Sequence, residues 1–194
     1  MIKWIGANAF RTSHYPYSEE LMDQADAQGI VIIDECPAVG LQYFEDKLLK
    51  QHLNTITEMI NRDKNRPSVV MWSLANEPNS ANKDAEPYFK KVFDHARSLD
   101  PTRPLSAALN TGYNADKAAK FLDVLMINRY SGWYQDTGYP QVIYKHMVDD
   151  FQNWHKAYNK PIMISEYGAD TVAGLHMVRI CLSKFNYSMN LIFP

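Results

Sequence analysis

The feature that most limits what this chain can fold into is a series of short apolar runs. Each ends in polar residues and is followed by a helical pattern. The longest, Val69-Val70-Met71-Trp72-Ser73-Leu74-Ala75, stops abruptly at Asn76-Glu77-Pro78. A run this apolar suits a strand buried on both faces, as in a parallel sheet. Pro78 closes it, because proline has no N–H to give the ladder. Glu77 is therefore expected at the carboxyl end of a buried strand, where α/β barrels and open sheets hold their ligands. Pro161-Ile162-Met163-Ile164-Ser165-Glu166-Tyr167-Gly168 repeats the form. It puts a second carboxylate, Glu166, at a second strand end.

Along the chain, residues 1–5 read as the end of a helix closed by Gly6. Strand candidates follow at residues 7–11, 30–33, 69–76, 105–109 (a weak one), 124–127 and 162–166. Helical patterns separate them. Ser18 can cap the first helix, with Glu19 and Glu20 favourable in its first turn and Gly29 ending it. Leu49, Leu53, Ile56 and Ile60 mark a second helix. Tyr88, Phe89, Val92, Phe93, Ala96 and Leu99 mark a third, stopped by Pro101. Ile143, Met147, Phe151, Trp154 and Tyr158 mark a fourth. Strands alternating with helices predict a parallel sheet with right-handed crossovers.

Polar residues gather at nearly every strand end: Arg11 and His14, Asp34 and Glu35, Asn76 and Glu77, Asn110, Asn128 and Tyr130, and Glu166. An open doubly wound sheet would concentrate its ligands at one switch point. Chemistry at most strand ends suits a (β/α)₈ barrel better. No Gly-rich turn of the dinucleotide or phosphate-loop kind argues otherwise.

A length of 194 residues fits one domain. The 20 basic residues are spread along a chain of net charge −2, so no basic stripe suggests nucleic acid. Cys36 and Cys181 form neither a disulfide framework nor metal-ligand spacing. No apolar run approaches the ~18 residues of a membrane span. The first residues lack the apolar core of a secretory leader. The expectation is a chain without membrane partner, metal or cofactor.

Two carboxylates at strand ends point to two-carboxylate hydrolysis of a glycosidic bond. In its retaining form the pair stands about 5–5.5 Å apart, one a nucleophile and the other an acid, then a base. Glu77, between Asn76 and Pro78, suits the acid/base role, and the Asn76 amide can hold a substrate hydroxyl. Glu166 suits the nucleophile, with Tyr130 and Tyr167 as hydrogen-bond partners. Arg11 can keep Glu166 ionised, which a nucleophile requires, and is also taken as a substrate-binding candidate. His14 is expected to contact a sugar hydroxyl or to brace one of the glutamates. Asp34 is taken as a substrate-binding candidate, and for the pair Asp34-Glu35 the alternative is a buried carboxylate that serves as a structural partner for an arginine. For each glutamate alone the alternative is a simple salt bridge.

The segments Asn8-Ala9-Phe10-Arg11-Thr12-Ser13-His14-Tyr15-Pro16-Tyr17, Val31-Ile32-Ile33-Asp34-Glu35, Asn61-Arg62-Asp63-Lys64-Asn65, the run ending in Asn76-Glu77-Pro78, Asn128-Arg129-Tyr130 and Ser165-Glu166-Tyr167-Gly168 together resemble glycoside hydrolase family 2. Gly132-Trp133-Tyr134 and Asp170-Thr171-Val172-Ala173-Gly174-Leu175-His176 resemble its glucuronidases rather than its β-galactosidases. The stretch after Gly40 is more similar to animal than to bacterial members. The resemblance implies a retaining exo-hydrolase of β-D-glucuronosides, from glycosaminoglycans or conjugates. It implies that Glu77 is the acid/base, Glu166 the nucleophile, and Tyr130 and Tyr134 active-site tyrosines. It also implies a homo-oligomeric full-length parent that is lysosomal in animals.

Under the same resemblance, residues 1–176 are expected to be a partial TIM barrel holding strands two to seven of eight. Residues 177–194 are expected to be a divergent tail, with alternating Phe185, Tyr187, Met189, Leu191 and Phe193 and a sequon at Asn186. The chain alone is then expected to be poorly active. The competing expectations are a non-catalytic truncated product and a family member with another sugar preference.

Overall fold

The computed structural model describes residues 1–168. The expected boundary at residue 176, the alternating pattern and sequon of the tail, the motif at 170–176 and Cys181 all lie outside the described residues.

Six parallel strands form one sheet whose spatial order is the chain order. They are β1 (Ala9–Arg11), β2 (Val31–Glu35), β3 (Val69–Asn76), β4 (Leu105–Leu109), β5 (Leu125–Asn128) and β6 (Ile162–Glu166). Helices α1 (Glu19–Gln28), α2 (Asp46–Asp63), α3 (Ala85–Leu99) and α4 (Ile143–Tyr158) follow β1, β2, β3 and β5. Among the described residues β1 and β6 are the two edges. The architecture is an incomplete (β/α)₈ barrel.

Successive side chains on a strand point to opposite faces, and the two faces differ here. On the inner face Ile33, Met71, Ala108 and Met126, one from each central strand, form a small apolar cluster. On the outer face Ile32, Trp72, Leu74, Leu105, Leu109 and Leu125 pack with Met22, Ile56, Ile60, Phe89, Val92 and Trp154 of the helices. β4, only a weak candidate from its sequence, is buried at every residue. Small Ser106, Ala107 and Ala108 let it sit at the centre of the sheet.

Local signals account for the element ends. Ser18 accepts a hydrogen bond from the Leu21 amide at the start of α1. Gly29, at φ 64°, closes that helix in the left-handed conformation that glycine adopts without penalty. Residues Ile2–Ile5 form a single 3₁₀ turn rather than the end of an α-helix. Among the described residues no helix is long and apolar enough to cross a membrane.

Candidate active site

β1 ends on Arg11, which is buried to 8% exposure beside a fully buried Glu35. Its Nη1 donates to both oxygens of Glu35, at 2.7 and 2.6 Å. Its Nη2 donates to Glu166. Glu35 accepts in addition from Ser73 Oγ at 2.7 Å, and His14 Nδ1 lies 3.1 Å from it. The other ring nitrogen of His14 is 3.8 Å from Glu166. Burial works against the charge on Arg11, but the two glutamates outweigh it and raise its pKa further. Glu35 thus anchors the cation that faces Glu166.

Glu166 ends β6 and also accepts a hydrogen bond from the Tyr130 hydroxyl. Burial would push its carboxyl up. The Tyr130 bond, the Arg11 bond and the Arg11 and His14 charges more than reverse this, and the pKa is lowered. Tyr130 is shifted the other way, first by burial and then by its bond to Glu166, so it stays a hydroxyl donor. The Tyr134 ring meets the Tyr130 ring edge-on at 5.3 Å.

Glu77 follows β3 with φ 47°, in the left-handed region that non-glycine residues rarely occupy. Such a conformation costs about 1–3 kcal/mol and persists where the surroundings impose it. Here its N–H still donates to Ala108 O at 2.8 Å, while Pro78 blocks any continuation of the strand. Its carboxylate accepts from Asn128 Nδ2 at 2.8 Å and from Asn110 Nδ2 at 3.1 Å. Among the described residues no cation pairs with it.

His14, Asn76, Glu77, Tyr130, Tyr134 and Glu166 line one cleft of about 660 Å³ at the carboxyl ends of the strands. Register shifts in the β3–β4 and β5–β6 pairings fall next to Asn76 and Asn128. Bulges of this kind re-aim side chains beside active sites. A second hollow of about 530 Å³, lined by Lys47, Gln51, Thr57 and His95 on α2 and α3, holds no carboxylate. Among the described residues no group of His, Cys, Asp and Glu can hold a metal ion.

The structure corrects the reading of Asp34. It is completely buried, it does not line the cleft, and Thr12 Oγ1 donates to its Oδ1 at 2.9 Å. Glu35 takes the inner face and Asp34 the opposite one, towards Asp63. Arg11 also stands behind the cleft wall rather than in it. Glu35 is the structural arginine partner expected of the Asp34-Glu35 pair, while three residues at or near strand ends were not singled out from sequence: Asn110 and Asn128 on Glu77, and Ser165, whose Oγ donates to Asn128 Oδ1 at 2.6 Å. All but Ser165 stood among the polar strand-end residues, but nothing in the sequence ranked them.

Residues 1–187 match the family described as glycosyl hydrolases family 2, TIM barrel domain. Among curated proteins, the chain is 52% identical over 179 residues to the β-glucuronidase of Rattus norvegicus. It is 51% identical to that of Homo sapiens over the same length. Each alignment covers 91% of this chain, which spans 28% of the length of the relative. Among solved structures, a β-glucuronidase of an uncultured Clostridium superposes with a TM-score of 0.89 at 45% identity. That match covers 94% of this chain and 35% of the other. A β-glucuronidase from Ruminococcus gnavus, in complex with uronic deoxynojirimycin, gives 0.84 at 43% identity, over 90% of this chain and 32% of the other. A six-stranded arc of parallel β/α units with two glutamates at its strand ends, matched in this way over nearly its whole length, belongs to the TIM barrel domain of glycosyl hydrolase family 2.

Proposed function

We propose that the chain carries the catalytic centre of a retaining β-glucuronidase, with Glu166 as nucleophile and Glu77 as acid/base. The observation that carries this reading is the contrast between two carboxylates on one cleft. Glu166 faces a guanidinium and a tyrosine hydroxyl, which favour the ionised form a nucleophile needs. Among the described residues Glu77 meets the neutral amides of Asn110 and Asn128 and no cation.

In the first step a Glu166 oxygen attacks the anomeric carbon. Glu77 gives its proton to the departing glycosidic oxygen as that bond breaks. In the second step Glu77 removes a proton from water, and the hydroxide oxygen displaces Glu166, restoring both carboxyl groups. Asn76 donates to a sugar hydroxyl, and Tyr134 supplies an aromatic wall. A β-D-glucuronoside is the substrate that the names of the relatives suggest. The same reading takes the full-length parent as a homo-oligomer, lysosomal in an animal.

Hydrolysis of fluorogenic β-glucuronides tests the proposal. Glu166→Gln is expected to abolish turnover. Glu77→Gln is expected to lose ~10²–10⁴-fold on a poor leaving group and much less on an activated phenol, which needs no protonation. Turnover by Glu166→Gln equal to that of the unaltered chain overturns it.

A further inference from the structure

Asn128 is the hinge of a side-chain relay across the floor of the cleft. It ends β5, pairs in register with Glu166, and is 3% exposed. Its Nδ2 donates to Glu77 Oε1 at 2.8 Å and to Asn76 Oδ1 at 3.2 Å. Its Oδ1 accepts from Ser165 Oγ at 2.6 Å. Asn76 Oδ1 also accepts from Arg11 Nη1 at 3.4 Å.

The chemistry of these groups fixes their orientation. A guanidinium only donates, an ionised carboxylate only accepts, and a primary amide has one end of each kind. Arg11 therefore claims the oxygen end of Asn76, which leaves the N–H₂ end to face the cleft. Glu77 claims the nitrogen end of Asn128, so its oxygen is turned to β6. That oxygen is buried, and among the described residues Ser165 is its donor. Without the hydroxyl it would lack a partner, and the amide would be held at its N–H₂ end alone. The hold of Glu77 on Asn128 weakens when Glu77 carries a proton, since the bond is then no longer assisted by charge. Ser165 makes a bond that does not depend on that proton.

We propose that Ser165, the neighbour of Glu166 in the chain, is a positioning residue that acts through Asn128 to hold the Asn76 amide and the Glu77 carboxylate in register with β6. The relay ties the ends of β3, β5 and β6 together, the strands that bring Asn76, Glu77 and Glu166 to one cleft. The proposal rests on the function above only for the naming of the two glutamates.

Hydrogen exchange of the Asn128 side-chain amide, followed by nuclear magnetic resonance on the whole chain, tests it without turnover. Ser165→Thr keeps the hydroxyl, and Ser165→Val has the same shape without it. Slow exchange is expected in the unaltered chain and in Ser165→Thr. At least tenfold faster exchange is expected in Ser165→Val and in Ser165→Ala, with the Asn76 amide resonances shifted in the same two variants. Equal exchange in the threonine and valine variants overturns the relay, as does an Asn128 amide in the unaltered chain that exchanges like a free asparagine. If the alanine variant fails to melt cooperatively, the threonine and valine pair decides. Absence of glucuronide hydrolysis in every chain, with the exchange pattern as expected, counts against the proposed function and leaves the relay standing.

Discussion

Arg11 is shared by two carboxylates, with one nitrogen of its guanidinium on Glu35 and the other on Glu166. A lysine puts its three donors on one nitrogen and lacks the fork that spans the two carboxylates. Arg11→Lys is expected to move the acid limb of the pH–rate profile upward. The sign follows from the Glu166 carboxyl, which the guanidinium helps hold below its ordinary value and which rises when that support goes. Arg11→Met leaves Glu35 buried and uncompensated, at a cost of ~3–5 kcal/mol. A urea melt and a pH–rate profile check the two effects, and an unmoved acid limb contradicts the first.

Tyr130 donates to the same carboxylate from the other side. Tyr130→Phe keeps the edge-on contact with Tyr134 but removes the hydroxyl. The turnover number is expected to fall by about 10–10²-fold, less than the ~10²–10³-fold typical of a donor lost from an oxyanion site. KM is expected to change little, because the ring stays. Steady-state kinetics on one glucuronide separate the two constants.

Asp34 makes a separate prediction, about stability. Burial, aided by the neighbouring Asp63 and opposed by Thr12 and Arg62, raises its carboxyl from 3.8 to about 7. The folded chain therefore binds this proton more readily than the unfolded one. Its contribution is fully present below pH 3.8 and is lost as pH rises through about 7. Asn cannot ionise, and its N–H₂ can occupy the place of Oδ2, which has no partner. Asp34→Asn is expected to flatten the fall in melting temperature between pH 5 and pH 8. An unchanged slope contradicts this origin.

His52 acts in the opposite direction. Its Nε2 donates to Leu74 O at 2.8 Å, so its Nδ1 accepts from the Tyr88 hydroxyl at 2.9 Å. Burial holds the ring neutral and lowers its pKa from 6.5 to about 4. The stability of this arrangement is present above pH 6.5 and is lost as pH falls through about 4. Tyr88→Phe removes the donor to a buried nitrogen and is expected to cost about 1–3 kcal/mol near neutral pH. Thermal melts at pH 7 and pH 4.5 check both statements.

The strands and helices were legible because their signals are local. Ser18 and Gly29 bracket α1 as their chemistry requires. The apolar run up to Ala75 could only be a buried strand. The two glutamates were legible because each interrupts such a run at its end. The choice between Asp34 and Glu35 was not. It depends on which face each side chain takes, and a one-residue shift exchanges the faces. The run Ile30-Val31-Ile32-Ile33 before them is apolar at every position, so no alternation in the sequence tells which of the two turns inward. Asn110, Asn128 and Ser165 were hidden for a related reason. Their importance lies in which amide or hydroxyl each one meets across the sheet, and that is set by register rather than composition.

As the proposed nucleophile, Glu166 is expected to become covalently attached to the sugar. A 2-deoxy-2-fluoro-β-D-glucuronyl fluoride tests it most directly. The fluorine at carbon two slows both steps, and the fluoride leaving group lets the first proceed, so the sugar stays on the nucleophile. One added sugar is expected by intact mass, located by peptide mapping to Glu166 and absent in Glu166→Gln. A label on another carboxylate, or an unaltered chain that stays unlabelled, contradicts it.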